Sequence, residues 1–522
     1  MRHFVRLLAA LAVFGLATSW GTTRGFAQDN QGHHESRPDR SSHGGQNAVG
    51  GILGMLPADS VTEHTVATKN GSLRYTATAG TFTLYAQSGE ASAKIFYTAY
   101  VAHDDKAAGD TEQKSAGTRR PVTFVFNGGP GASSAFLHLG LVGPRIVRFG
   151  KDNHDGANAT LIDNPDTWLA FTDLVIVDPV GAGWSRAAKP DDASHFWSVN
   201  ADAETMAKVV ALYVGRNGRA ASPKYLLGES YGGFRAAKVA SALQEDQGIV
   251  VSGIVMLSPM LEGAFQFGGD RFALGAALDL PSLAAAEMER RNNFDANELR
   301  NIEHFALTDY LTTLAGPPPQ GDAARSFYKH VAQITGIDED AVARSHGFLR
   351  DLRQKNLRSA GGLVASQYDA SFLTDDPFPE SRGHHGDDPQ LDGYIRAYGG
   401  MFVGYARDEL GYNTDITYNL LSTDVNRKWQ WRSGGRGQPS VSDDLRKLLA
   451  FNPTFRLAIA HGYSDLVTPY MVSRYVLDHL PDMGETKRAK LYLYRGGHMI
   501  YLVDDSRRAF TSDVSQFYAA AP

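Results

Sequence analysis

The chain has 522 residues, 43 % of them hydrophobic, and a formal net charge of −6. That is enough apolar material for a large core, and too much chain for one minimal domain. The mild charge, with 51 basic residues spread along the chain, excludes the electrostatic footprint of a nucleic-acid or membrane-surface binder. The absence of cysteine excludes disulfides, thiolate catalysis and cysteine-bound zinc.

In chain order, Met1 to Arg6 form a short basic region, and an apolar run begins at Leu7 and continues to about Trp20. Gly25-Phe26-Ala27 places small residues where a signal peptidase cuts, so residues 1–27 are expected to be a signal peptide. The run is short of the roughly 20 residues needed to span a bilayer. The mature protein is therefore expected in a bacterial periplasm or outside the cell, with no membrane attachment. Export without cysteine fits that route. Residues 28–55 are polar and rich in Gly, Ser and His at their start, and are expected to be a disordered linker.

From Ser60 the pattern alternates apolar and polar residues, with turn signals at Asn70-Gly71 and Ser88-Gly89. This predicts an antiparallel meander, followed by a charged loop over 103–119. Next come six short apolar runs: PVTFVF (121–126), DLVIVD (173–178), KYLLGE (224–229), SGIVMLS (252–258), FRLAIA (455–460) and AKLYLY (489–494). Helical spacing lies between some of them, at 201–215 and 234–244. Strand–helix alternation predicts an α/β fold, with a mostly parallel sheet and helices on both faces. One long gap breaks the rhythm. Residues 261–450, helix-rich at first and loop-rich later, are expected to form an inserted cap over the sheet's C-terminal edge, where ligands of open α/β sheets bind. The core is then 56–260 and 451–522.

Chemistry concentrates just after the strands. Gly228-Glu229-Ser230-Tyr231-Gly232 fits G-x-S-x-G, in which a serine sits on a sharp strand-to-helix turn. A serine hydroxyl needs a histidine base, and the histidine needs an orienting carboxylate. In HGYSD (461–465) and GGHM (496–499), Asp465 and His498 follow the last two strands in the order serine, acid, histidine. The rivals Asp478 and His479 fall in a helical pattern. An oxyanion needs two donors: the Tyr231 backbone N–H, and one from the glycine loop Asn127-Gly128-Gly129-Pro130-Gly131, for which Gly129 N–H is chosen.

The stretches NGGPGASS, NPDTWLAFTDLVIVDPVGAGWS (164–185), GESYGG, HGYSD and GGHM together resemble the serine carboxypeptidase family. The resemblance implies an α/β-hydrolase fold with a helical cap, removal of C-terminal residues from peptides, work at acidic pH and no cofactor. It further implies that Asn127 and Glu229 bind the substrate's terminal carboxylate, that Gly128 lends backbone contact, and that Met499 lines the pocket of the leaving residue. A glutamate beside a carboxylate is tolerable only if the two share a proton, so Glu229 is expected to bind in its protonated form. The same triad would also serve an esterase, amidase or acyltransferase.

The chain departs from the family pattern at three places. Leu141 stands where the family has a second glutamate, Ala132 where it has a cysteine, and Tyr463 where it has an aspartate. The Leu141 change removes one recogniser of the terminal carboxylate. Two His-rich stretches, GHHE (32–35) and the run holding His384 and His385, carry metal-ligand residue types. Both lie in polar, glycine-flanked sequence and are read as solvated loops, so no metal is expected. Peptides are the expected partners, and nothing in the sequence specifies an oligomeric state.

Overall fold

Each apolar run becomes a strand. In the computed structural model, β1 (Ser60–Thr68), β2 (Gly71–Tyr85) and β3 (Ala91–Ala102) form the antiparallel meander. β4 (Val122–Phe126) follows, then a separate antiparallel pair, β5 (Arg145–Arg148) and β6 (Thr160–Asp163). β7 (Asp173–Val177) precedes the short β8 (Arg186–Ala187), which pairs with β3. β9 (Lys224–Glu229) and β10 (Gly253–Leu257) come next, then a second small pair, β11 (Leu363–Ala365) and β12 (Leu373–Asp375). The last strands are β13 (Arg456–Gly462) and β14 (Ala489–Tyr494).

The main sheet runs β1-β2-β3-β7-β4-β9-β10-β13-β14. It is parallel from β7 to β14 and antiparallel through the meander. The structure describes residues 51–103, 120–267, 272–353, 362–381, 388–432, 437–483 and 488–520. All fall within one compact unit, Val49–Pro522. The expected signal peptide, the linker up to residue 50 and nearly all of the charged loop lie outside the described residues. Gly51–Met55, read from sequence as the linker's end, instead forms a 3-10 turn with Leu53 buried in the core. Ile52 also packs against that core, and Leu56 just beyond the turn is buried in it.

Side chains along the parallel strands alternate between two cores, as the two-residue repeat of a strand requires. Val125, Tyr225, Leu227, Val255, Leu257, Ala458 and Ala460 face one cluster, which also holds Phe510 and Phe517 of the C-terminal helix Asp504–Ala519. Phe124, Leu226, Ile254, Met256, Leu457 and Ile459 face the other, covered by helices Val199–Arg216 and Tyr231–Asp246. Helices therefore cover both faces, as predicted.

The segment between β10 and β13 contributes to several cores. Its helices Ala273–Arg290 and Gly321–Thr335 build a cluster of their own around Leu280, Tyr310 and Val331. Helix Ala397–Asp408 packs Tyr398, Phe402 and Tyr405 into the first sheet core, and Ser442–Phe451 packs Leu445 and Leu448 into the second. Register aligns the strand ends: Phe126 lies opposite Gly228, Leu257 opposite Glu229, and Ala460 opposite Tyr492. One edge of the sheet thereby collects the loops after β4, β9, β10, β13 and β14.

Candidate active site

Ser230 sits between β9 and helix Tyr231–Asp246 with φ 61° and ψ −127°. A non-glycine residue reaches that conformation only under constraint, and such outliers gather at functional sites. The flanking glycines are dictated by space. A Cβ on Gly228 would lie 1.9 Å from Gly232 O, and one on Gly232 would lie 2.3 Å from Phe126 O. The turn can be this sharp because neither carries a side chain.

The glycine loop after β4 rests on that turn. A Cβ on Gly128 would meet Tyr231 N at 2.6 Å and Ser230 Cβ at 2.9 Å. Gly129, at φ +99°, is exposed between buried neighbours. Tyr231 opens its helix, so its N–H has no preceding turn to satisfy it. The expected oxyanion donors, Tyr231 and Gly129, thus belong to two loops in direct contact. Arg235, one turn further along the helix, donates to the backbone carbonyl of Asn127 and pairs with Asp202 at 2.7 Å.

Asp465 and His498 meet as the sequence order requires. His498 Nδ1 lies 2.9 Å from Asp465 Oδ2, with both side chains buried. Asp465 Oδ1 accepts the backbone N–H groups of Val467 and Thr468, and Oδ2 accepts the Thr468 hydroxyl. His498 is fixed from behind: its N–H donates to Tyr368 O, its carbonyl accepts Ser258 Oγ, and the Tyr368 ring stands edge-on to the imidazole. A Cβ on Gly497 would lie 1.9 Å from Tyr368 O, so the glycine before the histidine is needed for the β11–β12 connection to lie there. Among the described residues no hydrogen bond joins Ser230 Oγ to His498, a contact that is often loose before substrate binds. The rival His479 caps a helix, exposed, with Nδ1 on Tyr475 O.

Glu229 is buried beside this pair. Its Oε2 accepts from Asn127 Nδ2 at 3.1 Å and from Tyr501 Oη at 3.0 Å. Asn127 Oδ1 accepts the Leu137 N–H, which fixes the amide so that its NH₂ faces Glu229. Leu141 is fully buried in the first sheet core. Met499 is also buried in that cluster.

Charge follows from this burial. Removal from water pushes Glu229 up to about 7, against the pull of His498, Tyr501 and Asn127. Burial would also raise Asp465, but the charge and hydrogen bond of His498 outweigh it and hold the carboxyl below its ordinary value. For His498 burial works downward, and Asp465 and Glu229 carry it above its ordinary value. The site therefore offers a poised base, a fixed carboxylate, a hydroxyl carried on a strained backbone turn and an acid able to hold its proton near neutrality.

No sequence signal marked Tyr501, Thr468, Tyr368 or Arg235. Tyr501, Tyr368 and Arg235 make their contacts across the fold, at separations that spacing does not reveal, while Thr468 bonds Asp465 from three residues further on. Among the described residues no group of three or more His, Asp or Glu could hold a metal ion. His33, His34, His384 and His385 lie outside the described residues.

Comparison with known proteins gives the family and the fold. The family model described as serine carboxypeptidase matches residues 81–511. The chain is 29 % identical over 153 residues to the pheromone-processing carboxypeptidase KEX1 of Yarrowia lipolytica, covering 29 % of this chain and 23 % of that protein. It is 32 % identical over 136 residues to kex1 of Neosartorya fischeri, covering 26 % and 20 %. The matched stretch thus spans under a quarter of either curated relative. Among solved structures, the prohormone-processing carboxypeptidase Kex1 from Saccharomyces cerevisiae superimposes with a TM-score of 0.52 at 15 % identity, over 84 % of this chain and 91 % of that one. The likeness is one of fold, and the sheet, helices and elbow are those of an α/β-hydrolase.

Proposed function

This chain belongs to the serine carboxypeptidase family, and we propose that it removes C-terminal residues from peptides through an acyl-enzyme on Ser230. The observation that carries this reading is Glu229, buried one residue before Ser230 and bonded to Asn127 of the facing glycine loop. An acid held neutral beside the elbow suits a substrate that ends in a carboxylate.

In this mechanism His498 takes the Ser230 proton as Oγ attacks the last peptide carbonyl. Asp465 holds the imidazole and balances the imidazolium. The Gly129 and Tyr231 N–H groups receive the oxyanion. The C–N bond breaks, His498 gives its proton to the leaving amine, and the amino acid departs. Water, deprotonated by His498, then hydrolyses the ester. Asn127 and protonated Glu229 hold the terminal carboxylate, Gly128 lends backbone contact, and Met499 lines the leaving residue's pocket. No cofactor takes part. The segment 261–450 serves as a cap.

Activity favours acidic pH, since Glu229 must keep its proton. Export by the N-terminal segment, to a periplasm or out of the cell, completes the reading. Among the described residues no helix is long and apolar enough to cross a membrane.

One observation favours a second reading. Leu141, fully buried among apolar side chains, offers no acid to a terminal carboxylate, as an esterase, amidase or acyltransferase with the same triad would allow. Products from a mixed peptide library separate the two. Sequential loss of C-terminal residues supports the carboxypeptidase. Turnover of esters or blocked amides with no loss from free peptides supports the alternative.

A further inference from the structure

Two donors converge on one oxygen of Glu229. Asn127 Nδ2 and Tyr501 Oη both reach Oε2, and no hydrogen bond to Oε1 is found among the described residues. An oxygen that already accepts two hydrogen bonds has both lone-pair directions occupied. A proton on the carboxyl group must therefore sit on Oε1. Tyr501 is placed for this by shape. Its ring lies against Gly140, where a Cβ would come within 2.5 Å of Tyr501 Cε2 and 2.9 Å of Tyr398 Oη. It is also buried and packed into the first sheet core. Burial and the nearby Glu229 charge keep the phenol protonated, so it remains a donor.

We propose that Tyr501 is a positioning residue for terminal-carboxylate recognition: its hydroxyl fixes Oε2 of Glu229 as an acceptor, so that Oε1 carries the proton offered to the substrate. This rests on the carboxypeptidase reading above and adds the element that orients the acid. The groups facing Glu229 are Asn127 after β4, Asp465 after β13, His498 and Tyr501 after β14, Tyr368 between β11 and β12, and Tyr398 on helix Ala397–Asp408. Of these, Tyr501 and Asn127 hydrogen-bond the carboxyl group. A donor to a carboxylate favours its ionised form, so Tyr501 also sets where Glu229 loses its proton.

The test is the Michaelis constant against pH for matched free and C-terminally amidated peptides, in wild type and Tyr501→Phe. Labelling of Ser230 by a fluorophosphonate reports that the variant site is folded. At acidic pH the ratio of KM for free over amidated peptide rises roughly three- to tenfold in Tyr501→Phe, the scale of one hydrogen bond. The alkaline rise in free-peptide KM moves upward by about one pH unit. Tyr501→3-fluorotyrosine, a stronger donor of the same shape, moves that rise downward, and it carries the test if the phenylalanine variant does not label. An unshifted alkaline limb, or equal loss for both peptides, overturns the role of Tyr501 while leaving Glu229 as the reader. Wild-type KM values that follow the same pH course for free and amidated peptides overturn the Glu229 reading and this inference with it.

Discussion

Arg235 and Asp202 form an ion pair of 2.7 Å with both side chains out of solvent, and the same guanidinium donates to the carbonyl of Asn127. Its carbon also stacks over the Tyr231 ring, 5.0 Å from the centroid. One buried cation therefore ties helix Val199–Arg216, the elbow helix and the glycine loop together. Removing it leaves Asp202 buried and unpaired. Arg235→Met is expected to lose about 3–5 kcal/mol of stability, and Arg235→Met with Asp202→Leu to regain much of it. Urea unfolding of the two variants checks this. Equal losses would show that the ion pair itself is not what the fold depends on.

Ser230→Ala is expected to abolish turnover with the fold intact, because the turn needs the glycines and not the hydroxyl. A fluorophosphonate should label Ser230 and no other serine. Asp465→Asn and His498→Ala should each lower kcat by roughly 10⁴-fold or more, since such residues act as a unit. Steady-state kinetics with peptide mapping of the label decide the matter. Substantial turnover by Ser230→Ala would sink the assignment.

Gly128→Ala places a methyl group 2.6 Å from Tyr231 N, where the backbone has to give way. The two proposed oxyanion donors, Gly129 and Tyr231, are then expected to separate. The expected loss is about 10²–10³ in kcat, for ester and peptide alike, with a smaller change in KM. A loss confined to KM would move the oxyanion donors elsewhere.

Glu229 is buried and pushed up to about 7 from 4.5, so it binds its proton more tightly folded than unfolded. Stability from this group is present below the unfolded value and is lost as pH rises toward about 7. Free-peptide binding should weaken over the same upper range, while binding of amidated peptides should not. His498 must be neutral to act as base, and its upward shift limits both substrates on the acid side. Because ionised Glu229 is one cause of that shift, the two groups titrate as a pair. Protonating Glu229 removes that cause of the upward shift of His498 and is expected to open the acidic range to peptides. Glu229→Gln keeps a donor at every pH, so it should flatten the alkaline loss in KM for free peptides and the pH dependence of melting. A profile identical to wild type would count against the role.

The meander, the six parallel strands of the main sheet, the glycine loops and the places of Ser230, Asp465 and His498 just after strands were legible in the sequence, whereas the short strands β5, β6, β8, β11 and β12 were not. The legible features rest on local rules: a two-residue or helical repeat of apolar side chains, or glycines where the backbone turns sharply. Those rules need only neighbours in sequence. Tertiary structure alone decided that Tyr501 reaches Glu229 across 272 residues, that Arg235 bridges two helices and a loop, and that Tyr368 stands edge-on to His498. It also decided that the segment between β10 and β13 fills both sheet cores as well as further clusters of its own. A tyrosine hydroxyl or a guanidinium carries no periodic signature, and whether it meets a partner or water depends on which surfaces the whole fold brings together. The same holds for Glu229: its place before Ser230 is written in the chain, but the burial that lets it keep a proton near neutrality comes from side chains far from it in sequence.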